Sequence, residues 1–307
     1  MKKIIFIIGV LTILIGSVFA VSPYRHQPNT NSKKLTIVTT LFPLYDFAKN
    51  IGGEHVDVSL LLPPGVEAHS FEPKPSDIAK INSSDLFIYT GKFMEPWAQD
   101  IIDGLSNKDI TIVDSSKGIT LMGKDGHEHG GVDPHIWLDF DHDKTMIQTI
   151  TEALSQKDPA NAAYYQHNAD EYQKKIGFLD EKYKSTLSQC KTNTIVYGGH
   201  YAFGYVASRY GLTYEAAQGV SPDAEPTAQD LIQLVEQIRK NNIQYVFYEE
   251  LTSPKIAETL SYETKTTMLL LHAAHNVNKE DFKQNVSFLS IMEKNLDNLK
   301  IGLQCNK

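Results

Sequence analysis

The chain has 307 residues, 41% of them hydrophobic and 21% charged, an ordinary globular composition with room for two domains. Lys and Arg number 29 against 37 Asp and Glu, for a net charge of −8. That balance argues against a nucleic-acid partner, which would call for a basic face, and the modest acidic excess reads as plain solubility.

In chain order, Lys2 and Lys3 come first, followed by an apolar, uncharged run from Ile4 to Phe19. Val18-Phe19-Ala20 then offers small or tolerated residues at a signal-peptidase site, so residues 1–20 are read as an export signal. An uncleaved anchor is the alternative, the run falling a little short of the roughly 20 residues that span a bilayer. On either reading the rest of the chain lies outside the cytoplasm, in the periplasm or on the outer face of the cell membrane. No cysteine follows the apolar run, so a lipobox is not expected. Residues 21–32 are polar, rich in Pro and Asn and unpatterned, and read as a disordered leader.

From Leu35 short strands alternate with helices. Strands are predicted at Leu35–Thr40, Val56–Leu62, Leu86–Tyr89 and Thr111–Val113, with helices at Leu44–Ile51 and, after Pro75, at Ser76–Ile81. Such alternation implies a mainly parallel sheet with helices on its faces. Asp158-Pro159 then opens the longest predicted helix, with Asp as N-cap and Pro at the first helical position. Tyr165, Ala169, Tyr172, Ile176, Leu179 and Tyr183 recur at three or four residues and form one apolar stripe. A helix running to Leu187 would be roughly 44 Å long, enough to act as a strut between two lobes.

Beyond Cys190 the alternation resumes. Strands are predicted at Thr194–Tyr197, Ile243–Tyr248 and Met268–Leu271. Thr227 caps a helix over Ala228–Lys240, Ser253-Pro254 starts another, and Phe288–Leu303 closes the chain as an amphipathic helix. The fold class is therefore α/β, two lobes with mainly parallel sheets joined by a long rigid helix. The predicted division is an N-terminal lobe over 33–157, a linker helix over 158–189 and a C-terminal lobe over 190–307.

Two cysteines, Cys190 and Cys305, are present. An even pair in an exported chain is a disulfide candidate, with two buried thiols as the alternative. Two cysteines cannot supply four zinc ligands, so metal chemistry would have to come from histidine.

Eleven histidines are present. His69 ends the loop Pro63-Pro64-Gly65-Val66-Glu67-Ala68 after the second strand, and His135 follows Asp133-Pro134. His200 follows Gly198-Gly199 at a strand end, and His275 lies four residues past the strand ending at Leu271. Ligands of open parallel sheets bind beyond the carboxyl ends of the strands. Two histidines from each lobe would converge on the cleft between them, and neutral imidazoles suit Zn²⁺. No HExxH or CxxC motif fixes a metal locally. His26, His55, His142 and His167 are read as surface residues.

The stretches TLFPLYDFAKNIGGEHVDVSLLLPPGVEAHSFEPKPSDI, DPHIWLD, YGGHYAFGYVASRYGL, SPDAEPTAQDL and YVFYEELTSPKIAETLSYET resemble the zinc and manganese solute-binding proteins of ABC transporters, the cluster A-I or ZnuA/TroA-like family. With the closing helix they cover nearly all of the chain from Leu35. The resemblance implies two α/β lobes joined by a backbone helix, with metal between them and delivery to a membrane ABC permease. It places the first three ligands on His69, His135 and His200. A histidine at the third position is similar to the zinc members, whereas manganese members usually carry glutamate there. The fourth ligand of the family is normally acidic. Here that place reads Leu271-His272-Ala273-Ala274-His275, so His275, a water or a carboxylate such as Glu249 is expected to complete the site.

Glu67, Asp223, Glu225 and Glu249 are candidates for charge compensation around the ligands, and His272 for a supporting role. Gly126-His127-Glu128-His129-Gly130-Gly131 stands where zinc members carry a histidine-rich loop, so His127 and His129 could capture metal and pass it inward, a flexible solvated loop being the alternative. The expected function is that of an extracytoplasmic, monomeric, high-affinity Zn²⁺ receptor and not an enzyme. The rivals are a zinc-dependent hydrolase, with Glu249 or Glu67 as general base, and a manganese receptor of the same family.

Overall fold

A computed structural model describes residues 33–123, 131–221 and 225–306. The expected signal and leader, His127, His129 and Asp223 lie outside the described residues. Among those described, no helix is long and apolar enough to cross a membrane.

The first half builds a four-stranded parallel sheet from β1 (Leu35–Thr39), β2 (Val56–Leu60), β3 (Leu86–Tyr89) and β4 (Thr111–Asp114), in the order β2-β1-β3-β4. β3 is buried at every position, as expected of a central strand with helices on both faces. Three helices serve this sheet: α1 (Phe42–Gly52), α2 (Pro75–Asn82) and α3 (Ala98–Gly104). Pro43 sits in the first turn of α1 and Pro75 opens α2, where a missing N–H costs no helical bond.

Helix α4 (Phe140–Lys157) follows. The sequence reading left this segment unassigned. Asp139 nevertheless caps it by accepting from the Asp141 and His142 N–H groups, and Met146, Ile147, Ile150 and Leu154 bury one face. The long helix α5 spans Ala162–Leu187, 26 residues, or about 39 Å. It begins later than expected because Pro159 opens a separate 3₁₀ turn over Pro159–Asn161. The Asp158 carboxylate serves the Asn161 amide and the Tyr165 hydroxyl instead of a helical N–H. The apolar stripe of α5 faces the core as its spacing predicts. Its Tyr172 hydroxyl donates to Asp46 on α1 at 2.6 Å.

The second half repeats the first topologically. β5 (Thr194–Tyr197), β6 (Thr213–Ala216), β7 (Tyr245–Tyr248) and β8 (Thr267–Leu270) form a parallel sheet in the order β6-β5-β7-β8. The same second-first-third-fourth order in both sheets is the repeat that no sequence self-similarity announces. Its helices are α6 (Gly204–Tyr210), α7 (Ala228–Lys240), α8 (Lys255–Thr264), α9 (Lys279–Lys283) and α10 (Phe288–Gly302). Thr227 and Ser287 cap α7 and α10. The Tyr183 hydroxyl of α5 donates to the Met292 carbonyl of α10, so the long helix is tied to both halves.

One hydrophobic core runs through the two lobes, joining Ile37, Phe47 and Leu86 of the first to Ile195, Tyr197, Phe247 and Leu271 of the second. Both sheets accordingly belong to one compact unit, Lys34–Lys307. Two smaller cores lie on the outer faces, around Phe87 in the first sheet and Val246 in the second. Cys190, just beyond α5, is joined to Cys305, just beyond α10, by a disulfide.

Candidate metal centre

Both sheets direct their carboxyl ends at the same place. Past β2, the loop carrying Pro63 to Ala68 turns at Gly65, whose φ of +87° lies in the left-handed region that favours glycine. His69 follows, half-buried. His135 sits before a single 3₁₀ turn, Ile136–Leu138, that leads into α4. His200 comes directly after β5 and Gly198-Gly199. A Cβ on Gly199 would lie 2.5 Å from a Glu249 carboxylate oxygen and 2.7 Å from the Tyr197 ring, so only glycine lets the chain pass here.

Three imidazoles converge. His135 Nε2 lies 3.1 Å from His69 Nε2 and 3.1 Å from His200 Nε2, and His135 and His200 are fully buried. The three donor nitrogens sit within 4.8 Å of one another, close enough to hold one ion. His275 is also fully buried and near, its ring centroid 6.1 Å from that of His200 and 6.4 Å from that of His69. It groups differently: with Glu67 and Glu249 it forms a second set of donors lying within 4.8 Å of one another.

Carboxylates hold the outward edges of these rings. Asp133 Oδ1 accepts from the His135 backbone N–H at 3.0 Å and lies 2.8 Å from His135 Nδ1. Glu249 does the same for His200, with Oε1 2.7 Å from Nδ1 and Oε2 accepting from the backbone N–H. Glu67 Oε1 accepts from the His69 N–H at 2.9 Å, while Oε2 lies 3.5 Å from His275 Nε2. Glu250 reaches His272 Nδ1 at 3.1 Å and His275 Nδ1 at 3.9 Å. A carboxylate on Nδ1 fixes the tautomer that leaves Nε2 free for a cation.

The electrostatics follow from this geometry. Burial, then crowding by His135, His200 and His275, pushes the His69 ring down to about 2. Burial, then His200 and His275, hold His135 well below the usual histidine range. Both rings therefore stay neutral at pH 7, the form that binds a metal. Burial alone would depress His275, but Glu67, Glu250 and Glu249 outweigh it and raise this ring to about 9. Burial likewise opposes ionisation of Glu67 and Glu250, yet the facing histidines hold both carboxyls well below the usual range.

The structure thus brings together His69, His135, His200, His275, Glu67 and Glu249, with His272 behind Glu250. Glu225 is elsewhere, exposed beside a hollow that it lines with Glu215 and Asp230. Of the expected surface histidines, His167 is exposed, whereas His55 and His142 are half-buried and pack edge-on against Tyr164 and Tyr205. Sequence reading missed Asp133, Glu250 and Asn276. The Asp-x-His spacing of Asp133 and His135 was a legible sign of a side chain turning back on its own loop. Asn276 had no local sign.

Two parallel-sheet lobes closing on a buried set of imidazoles and carboxylates define an α/β binding protein whose ligand is a cation. The family model described as "Zinc-uptake complex component A periplasmic" (ZnuA) matches residues 37–302, and the chain belongs to that family. It is 34% identical over 293 residues to the high-affinity zinc uptake system protein ZnuA of Bacillus subtilis (strain 168), covering 92% of each chain. It is 36% identical over 279 residues to the zinc-binding lipoprotein AdcA of Streptococcus pneumoniae serotype 4, with 87% of this chain matched to 55% of AdcA. The chain therefore spans little more than half of AdcA. The crystal structure of the Zn(II)-bound ZnuA-like domain of S. pneumoniae AdcA superimposes with a TM-score of 0.78 at 36% identity, over 88% of this chain and 99% of that one.

Proposed function

We propose that this protein is an extracytoplasmic Zn²⁺ receptor that captures the ion in the cleft and delivers it to an ABC permease for import. The observation that carries the reading is the buried convergence of three Nε2 atoms from His69, His135 and His200. His275 is the fourth ligand in this proposal, with Glu67 and Glu249 balancing the charge of the ion. The chain acts as a monomer, exported by residues 1–20, with lobes over 33–157 and 190–307 and the linker over 158–189.

Zn²⁺ fits a set of imidazole donors, whereas Mn²⁺ favours oxygen-rich sites. No covalent bond is made or broken: the neutral rings of His69 and His135, with His200, take the ion from water, His275 gives up its proton to join them, the lobes close over the ion, and the permease opens them. The core shared across the lobes supports small tilts and loop movements, not a wide hinge. A hydrolase is set aside, since the family is an uptake component.

Calorimetry with Zn²⁺ and Mn²⁺ tests the proposal. Zn²⁺ is expected to bind the more tightly, and tighter Mn²⁺ binding would overturn the metal assignment. His275→Ala is expected to weaken Zn²⁺; an unchanged affinity would remove His275 from the ligand set and turn attention to Glu67.

A further inference from the structure

By sequence, the segment after β8 belongs to the second lobe, and there its Ala273 N–H bonds to Glu250 and its His272 main chain to Asn295, yet further bonds run to the first. Asn276 is fully buried, and its Nδ2 donates to both the Pro63 carbonyl and the Val66 carbonyl, at 2.8 Å each. Its Oδ1 accepts from the Val277 N–H at 2.9 Å, so both amide hydrogens and the amide oxygen are engaged. Two main-chain bonds lie alongside: Gly65 N–H to Val277 O at 2.8 Å and Phe42 N–H to His275 O at 3.1 Å. On the other flank the Trp137 indole donates to the Ala273 carbonyl at 2.7 Å. Ala274, with φ of +61°, is held in a left-handed conformation that alanine rarely adopts, so the surroundings and not local preference set this turn.

We propose that Asn276 is a positioning residue of the metal centre, clamping the loop that carries Glu67 and His69 to the loop that carries His275 so that these groups are held in fixed relation to one another. The inference rests on the reading of this cluster as the Zn²⁺ site. The Asn276 amide spends its hydrogen bonds on main-chain groups and none on a ligand ring. It acts through Pro63 and Val66, whose turn delivers Glu67 and His69, and through its own neighbour His275. The side chain must be an amide. A carboxylate of the same shape would set two oxygens against two carbonyl oxygens, and a hydroxyl would bridge at most one of them.

The test compares the purified wild-type chain with Asn276→Asp, which keeps shape but loses both donors, and with Asn276→Ser, a milder loss should the charged variant fold poorly. The readouts are Zn²⁺ release into excess chelator, the visible absorption spectrum of the Co²⁺-loaded protein, and the thermal midpoint without metal. Release about tenfold faster or more, with a changed Co²⁺ spectrum, is expected in both variants. A lower midpoint with wild-type release and spectrum would make Asn276 merely structural and overturn the proposal. A wild-type chain that binds neither Zn²⁺ nor Co²⁺ would overturn the receptor reading and this inference with it; binding by wild type with indistinguishable variants would overturn this inference alone.

Discussion

Buried carboxyl groups in two regions of this protein behave in opposite ways. In the cleft, Glu67 and Glu250 face histidines and are held ionised despite burial. In the first lobe and its supporting helices, burial wins. Glu95 is pushed up to about 7, and Asp46 and Asp143 also rise above the usual range. The chemistry is the same and the partners differ: Asp143 has no hydrogen-bond partner on either oxygen, while every cleft carboxylate reaches an imidazole. Between these two regions, a buried carboxyl is charged where an imidazole stands opposite, so negative charge collects where a cation would sit.

The largest effect expected from that difference is at the rings themselves. His135→Ala removes the central imidazole, within 3.1 Å of both His69 and His200 at Nε2, and should weaken Zn²⁺ binding on the order of a thousandfold in calorimetry. Retention of wild-type affinity would mean that the cleft carboxylates, not the imidazoles, hold the ion, and the comparison would lose its meaning.

That ring was legible in the sequence, and the reasons mark how far such reading goes. His69, His135 and His200 stand in short loops whose strand context and motifs are local, and β1, β3 and α7 showed their periodicity plainly. Helix α4 was missed because Thr145, Gln148, Thr149 and Thr151 dilute its apolar stripe. β6, the four residues Thr213–Ala216, is too short and too mixed to stand out. Asn276 was out of reach for another reason: its partners lie 213 and 210 residues away, and no window on the sequence holds both ends.

The carboxylates should separate next. Glu249→Gln and Asp133→Asn leave the rings in place but alter the acceptor on Nδ1 of His200 and His135. Zn²⁺ affinity should fall about 10- to 100-fold in each, with secondary structure unchanged by circular dichroism. Amide replacement with no loss of affinity would show that the cleft carboxylates do nothing their counterparts in the first lobe do not.

Glu95 should respond to pH where the cleft carboxylates do not. It is fully enclosed, with Oε1 accepting from the Thr40 hydroxyl and the Thr90 N–H and Oε2 from the Gly91 N–H, and burial still raises it from 4.5 to about 7. The folded state binds this proton more tightly than the unfolded chain. The contribution is thus fully present below about 4.5 and is lost as pH rises through about 7, a loss of up to about 3 kcal/mol. Denaturant titrations of wild type and Glu95→Gln between pH 4.5 and 8 should converge in the variant's favour as pH rises. The variant starts lower, because its new N–H₂ group meets a backbone donor. Parallel curves would show that Glu95 ionises as freely when folded as when unfolded.

At pH 4 Asp143→Asn should give the smallest effect, and it isolates burial from hydrogen bonding. Asp143 lies on the buried face of α4, fully enclosed, and burial followed by the Asp139 carboxylate keeps its proton on. Neither oxygen has a hydrogen-bond partner, so an amide of the same shape forfeits none. At pH 4 the stability of variant and wild type should agree within about 0.5 kcal/mol. As pH rises above the ordinary aspartate range, the unfolded wild-type chain releases this proton while the folded chain keeps it, so wild-type stability declines relative to a variant with nothing to release. Zn²⁺ affinity should not change. A variant that lost stability at pH 8, or bound Zn²⁺ more weakly, would mean that Asp143 is ionised and paired like the cleft carboxylates, and the two regions would no longer differ in kind.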